Sequence, residues 1–152
     1  MSIITAYLTP HLFDIWDLRR TGLRQTDIAE KFGVSRQTVN EALQEATAKV
    51  TRALTETATV NKIQVESIDS TNGLLIGWSR EFSVKTVISI TKKDGMQVWY
   101  EHVADCGPCD RYFSCRAYLF KLAKERGIKF TEQQKKLIPS ELAQVLFGMG
   151  KK

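Results

Sequence analysis

No run of this chain is apolar enough, for long enough, to cross a bilayer, which takes roughly 20 residues. The N-terminus lacks the basic-then-apolar order of a secretory signal, so a cytoplasmic chain is expected. Cysteine is scarce: there are 3, all between positions 106 and 115. So tight a cluster does not make the spread staples of a secreted disulfide domain; it reads as a local ligand set or a redox motif. Histidine is scarcer still, at 2. Nothing reads as a phosphate-cradling glycine loop, a carboxylate pair or a Ser-His-Asp set. Catalysis would have to come from the cysteines alone, and the chain is read as a non-enzyme. Repeats, low-complexity tracts and Gly/Ser linkers are also missing, so no flexible hinge divides it.

What is there suits a folded domain. The chain has 152 residues, 43% of them hydrophobic and 26% charged, enough for one large or two small domains around a real core. The formal charge of +5 suits a polyanionic partner without demanding one. Residues 1–62 carry 8 Lys/Arg against 7 Asp/Glu, and residues 63–152 carry 14 against 10. If nucleic acid is the partner, phosphate contacts come partly from the second half, or binding rests on a dimer.

The most informative stretch is Gln25 to Gln44, QTDIAEKFGVSRQTVNEALQ. Ile28, Ala29 and Phe32 share one helix face. Gly33 permits the left-handed backbone that ends that helix, and Ser35 supplies an N-cap oxygen for the next. Val34, Val39 and Ala42 are the apolar positions expected to close the second helix onto the first, over a small Ala29 at the crossing. Arg36, Gln37, Thr38, Asn40, Glu41 and Gln44 fill the outward face. Arg, Gln and Asn are the side chains able to pair with base edges in the major groove.

The spacing of Ala29, Gly33 and Val39, with GVS before the second helix, resembles the DNA-binding helix-turn-helix. The run SRQTVNEAL is similar to the recognition helix of the sigma-region-4 and LuxR-type group, including archaeal regulators of the Tfx type. The resemblance covers about the first third of the chain. It implies double-stranded DNA as partner, with Arg24, Gln25, Ser35, Arg36, Gln37, Thr38, Asn40 and Gln44 as contacting residues.

Upstream, Thr9-Pro10 is a helix start, with Thr9 as N-cap and proline at the first helical position. Leu12, Phe13, Ile15 and Trp16 form its buried stripe, which ends near Gly22, and Leu23 to Phe32 forms the next helix. The third helix is not expected to stop where a reading helix must, because no Gly or Pro falls between Arg36 and Asn61. Val39, Leu43, Ala46, Val50, Ala53, Thr57 and Val60 alternate spacings of four and three, a heptad seam. The seam fits either a second copy of the chain or the first helix and the following sheet. Binding to paired half-sites favours the copy, hence a homodimer.

After Asn61 the period switches from helical to alternating. Two turn signals, Asn72-Gly73 and Asp94-Gly95, separate alternating runs and predict a four-stranded antiparallel sheet between Lys62 and Val103. Asp110 to Arg126 then reads as a helix with Tyr112, Cys115, Leu119, Leu122 and Ala123 along one side and Gly127 as its stop. Thr131 and Gln134 have capping-box spacing, and Pro139 to Phe147 gives a last helix with Leu142, Val145 and Leu146 inward.

Cys106, Cys109 and Cys115 form C-x2-C-x5-C at the junction of strand and helix, where thiolates can converge on one centre. The spacing resembles that of oxygen-sensing iron–sulfur regulators of the FNR type, which add a distant fourth cysteine. This chain has none, and His102 is the candidate replacement, ahead of Asp105. A Cys3His set suits a [4Fe-4S] cluster or structural zinc. Cys106-Gly107-Pro108-Cys109 also resembles the thioredoxin active site, although Asp105 stands where that family has tryptophan; a disulfide switch needs no thioredoxin fold. Unliganded thiols are the remaining reading.

The expected architecture is α+β. Residues 1–61 form a helix-turn-helix DNA-binding domain with a long third helix, and residues 62–152 form an α+β domain carrying the cysteines. The expected function is a homodimeric transcription regulator whose cluster senses redox state or oxygen. A structural zinc site is the nearer alternative, and a thiol–disulfide oxidoreductase the more distant one.

Overall fold

The computed structural model describes residues 7–102 and 105–148. Two compact units make up the chain, Met1–Trp99 and Tyr100–Lys152.

The first unit opens with α1 (Pro10–Arg20), α2 (Gln25–Phe32) and α3 (Arg36–Val60). Thr9 caps α1 as expected, its Oγ1 accepting the Leu12 amide at 3.3 Å, with Pro10 at the first helical position. α2 begins two residues later than expected, because the Leu23 amide is spent closing α1, donating to the Leu18 carbonyl at 3.2 Å. α3 runs unbroken for 25 residues.

β1 (Ile63–Asp69), β2 (Leu74–Ser79), β3 (Val84–Thr91) and β4 (Gly95–Tyr100) form one antiparallel meander in the order β1-β2-β3-β4. The four strands expected between Lys62 and Val103 are therefore present; Val103 itself lies outside the described residues. Register shifts at a bulge between Val65 and Ser67. Gly77 lies opposite Val65, and a Cβ there would come within 2.5 Å of the Gln64 carbonyl oxygen, so the bulge leaves no space for a side chain.

Two apolar clusters hold the unit together, and α1 and α3 take part in both. Ile15, Ile28, Ala29, Val39 and Leu43 pack the three helices. Phe13, Trp16 and the later α3 residues Val50, Ala53 and Leu54 pack on Leu75, Ile88 and Ile90 of the sheet. Polar ties reinforce the second junction. The Trp16 indole N–H donates to the Ser70 carbonyl at 3.0 Å, and Arg20 Nη1 donates to the Ile90 carbonyl at 2.6 Å. Arg20 is buried, stacked 4.7 Å from the Trp16 ring centroid and paired with Asp17. Trp16 also closes over the β1–β2 turn, where Gly73 has φ +69° and a Cβ would lie 2.7 Å from the indole.

This packing corrects the expectation that the heptad seam pairs two copies. Val39, Leu43, Ala46, Val50, Ala53 and Thr57 are buried by α1, α2 and the sheet of the same chain. Only Val60, 80% exposed, leaves that surface. It also moves the division expected at Asn61. The change of period there marks a change of element, and the core runs across it; the compact units part after Trp99.

The second unit contains α4 (Tyr112–Glu125), a 3-10 turn (Gln134–Lys136) and α5 (Pro139–Phe147), with α4 packed on α5. Leu119, Leu122, Leu142 and Leu146 are buried. The capping box forms both of its bonds: Thr131 N–H donates to Gln134 Oε1 at 3.0 Å and Gln134 N–H to Thr131 Oγ1 at 3.1 Å. Val145, expected inward, is 42% exposed; Ala143 and Phe147 are buried on α5 instead.

Candidate functional site

The α2–α3 connection takes the form the sequence implies, built from backbone bonds. Gly33 sits in the left-handed region at φ 65°, ψ 34°. Its amide donates to the Glu30 carbonyl at 3.2 Å and the Val34 amide to the Ala29 carbonyl at 3.0 Å, a Schellman closure. Val34 contributes through its backbone. Its side chain is 38% exposed, so the expectation that it closes the two helices is corrected; Val39 fills that role, buried against Ile28 and Ala29. Ser35 Oγ accepts the Thr38 amide at 3.1 Å and opens α3.

Positions 36, 37, 40, 41 and 44 fall within roughly 140° of the helix circumference, at about 100° per residue. Arg36, Gln37, Glu41 and Gln44 are exposed and Asn40 is half-buried. Local pairs already engage part of the row. Gln37 Nε2 donates to Glu41 Oε1 at 3.1 Å, and the Ser35 and Thr38 hydroxyls are bonded to each other at 2.9 Å. Gln37, Ser35 and Thr38 must exchange those bonds to meet a base or phosphate, whereas Arg36 is exposed in the first turn. Arg24, just before α2, pairs with Asp27 at 2.9 Å in the open. The hydrogen bond from Arg24 holds the Asp27 carboxyl below its usual range, and the same bond raises the guanidinium. Gln25 opens α2, half-buried. The Arg24–Asp27 and Gln37–Glu41 pairs carry a signal in the sequence, their i,i+3 and i,i+4 spacings.

The cysteines lie in the second unit, on consecutive turns that lead into α4. The Cys109 amide donates to the Cys106 carbonyl at 3.2 Å and the Tyr112 amide to the Cys109 carbonyl at 3.1 Å. These turns are why α4 starts at Tyr112 rather than at Asp110. Cys106 is buried, its Sγ 3.6 Å from Ser140 Oγ on α5; Cys109 is exposed and Cys115 is half-buried in the first turn of α4. Burial pushes the Cys115 thiol up, the Arg111 guanidinium opposes that, and the charges of Cys109 and Cys106 add to it.

The donor set has the softness that zinc or an iron–sulfur cluster needs. Its geometry does not complete a site, since among the described residues no three His, Cys, Asp or Glu side chains converge on a point where a metal would sit. His102 is exposed just past β4, with Nδ1 2.9 Å from the Tyr100 carbonyl. A carbonyl only accepts, so a bond there engages Nδ1 as donor and leaves Nε2 as the ring nitrogen for a ligand. Asp105, the weaker candidate, accepts the Gly107 amide at 3.2 Å.

Neither family models, nor curated proteins, nor solved structures match this chain. Among the described residues no helix is long and apolar enough to cross a membrane.

Proposed function

We propose that this protein is a sequence-specific DNA-binding transcription regulator that reads the major groove with the first turns of α3. One observation carries the reading: the left-handed Gly33 turn closes α2, the Ser35 cap opens α3, and the first turns of α3 expose Arg36, Gln37 and Gln44 with Asn40 half-buried beside them. Its inner face is locked into a three-helix core through Val39 and Leu43. A reading helix must be held rigidly from behind while its outer face stays polar and open, and α3 meets both conditions. Two copies on paired half-sites remain part of the proposal, but they meet through a surface other than the seam of α3. Gel-shift titration at fixed salt, on a preferred duplex and a scrambled one, tests the base contacts. Arg36→Ala and Asn40→Ala are each expected to narrow the difference between the two duplexes by roughly 1–3 kcal/mol, the usual worth of a bidentate base contact. An unchanged preference in both variants removes α3 as the reader.

A second reading concerns the cysteines, which follow one another at C-x2-C-x5-C spacing on the turns that lead into α4. Cys106, Cys109 and Cys115 would hold a thiolate-ligated centre, an iron–sulfur cluster with zinc as the alternative, and His102 the candidate fourth ligand. When bound, such a centre would supply a redox state to sense, or in the case of zinc a structural cross-link. The chain's own part is to set three thiols on the entry to α4, with the Ser140 hydroxyl beside Cys106. Visible absorption and metal analysis of protein prepared without oxygen decide between the outcomes. Colour that air bleaches and Cys109→Ser abolishes supports the cluster; about one zinc per chain and no colour supports the structural site. Metal-free protein whose Cys106 and Cys109 oxidise reversibly supports a thiol switch instead.

A further inference from the structure

The second unit holds a cleft of about 600 Å³ at the C-terminal end of α4. Phe120, Ala123, Ile128 and Phe130 line its interior, and Lys121, Lys124, Lys129 and Lys135 surround them. Phe120 and Phe130 meet edge to face, 5.2 Å between centroids, and the Arg116 guanidinium stacks 4.7 Å from the Phe120 ring, so the aromatic wall is braced. That volume, with an apolar interior and a few charged groups, lies in the range of small-molecule sites.

We propose that this cleft binds an amphipathic carboxylate, a molecule with a hydrocarbon or aromatic body and a single anionic head. The body is dictated by the Phe120, Ala123, Ile128 and Phe130 interior. Charge dictates the head: the ionisable side chains that line the cleft are four lysines, with no acid among them. Lys135 is already paired with Glu132, its Nζ 2.6 Å from Oε1. Lys124 and Lys129, both exposed and both lining the cleft, are therefore the head-group partners. A helix C-terminus ordinarily repels anions through its bare carbonyls. Here those carbonyls are capped, Ala123 by the Ile128 amide at 2.8 Å and Lys124 by the Gly127 amide at 3.1 Å.

The site does not depend on the DNA-binding reading and is tested separately. Calorimetric titration of the full chain with decanoate, below its micelle concentration and at constant ionic strength, should show saturable binding of one per chain. Decylammonium, with the same tail and the opposite charge, should bind at least tenfold more weakly, and acetate, with the head alone, not measurably. The double reversal Lys124→Glu with Lys129→Glu changes two exposed positions and should weaken decanoate roughly tenfold, as two rim charges of modest worth would. Circular dichroism checks that this variant keeps its fold. The proposal is overturned if decanoate does not saturate, if decylammonium binds equally well, or if the double reversal leaves decanoate binding unchanged. Absent decanoate binding, together with weakened binding of random duplex DNA in the double reversal, would make the lysines a phosphate-contact surface and overturn it equally.

Discussion

Cys109, on the turn before α4, and Cys115, in its first turn, face different surroundings. Cys109 is exposed, whereas burial keeps the proton on Cys115, with the neighbouring thiols reinforcing it and Arg111 opposing it. The thiolate is the reactive form, so in metal-free protein iodoacetamide should modify Cys109 before Cys115. The Cys115 rate should rise only at a pH above that of an unstructured thiol, about 8.5. The sign for stability follows. The folded chain retains a proton that the unfolded chain releases, so this thiol costs nothing below the unfolded value and lowers stability as pH climbs through the folded one. Peptide mapping after timed alkylation across pH checks this, and equal rates for the two cysteines would contradict it. At the same scale, Gly33 and Ser35 were legible in the sequence because a left-handed turn and an oxygen N-cap are local requirements. Val34 was not, because what covers a side chain depends on tertiary packing. Arg20 was missed for the same reason: its Asp17 partner is visible at i,i+3, but its burial beneath the sheet junction is not.

At the scale of elements, the third helix carries the clearest test. Leu54 is fully buried against the sheet, and Val60, at the end of the same helix, is 80% exposed. Leu54→Ala should cost roughly 2–5 kcal/mol in denaturant unfolding, the usual range for a buried leucine. Val60→Ala should stay within about 0.5 kcal/mol, as an exposed change does. Comparable losses at both positions would mean that α3 does not pack as described. The bounds of nearly every element were readable, since Thr9-Pro10, Gly33, Asn72-Gly73, Asp94-Gly95, Gly127 and Pro139 punctuate the chain. The partner of the α3 seam was not. A four-three apolar rhythm states only that one face is covered, and a sheet of the same chain satisfies it as well as a second copy does. The bulge opposite Gly77 was equally hidden, because it arises from the pairing of β1 with β2 and not from either strand alone.

At the scale of the whole molecule, the sequence's change of period at Asn61 looked like a domain boundary, yet the helices and the sheet share one core as far as Trp99. The cysteine spacing was legible, but its geometry was not, because convergence of ligands depends on backbone turns that spacing alone does not fix. The central claim is that the first turns of α3 read DNA sequence, and selection from a pool of randomised duplexes by the full chain tests it most directly. Sequencing the retained duplexes should reveal one recurring short motif, paired about 10 base pairs apart if two copies bind. Asn40→Ala should relax the choice at particular positions of that motif and leave the others intact. Retention of duplexes with no enriched motif, at a salt concentration where binding persists, would contradict the account.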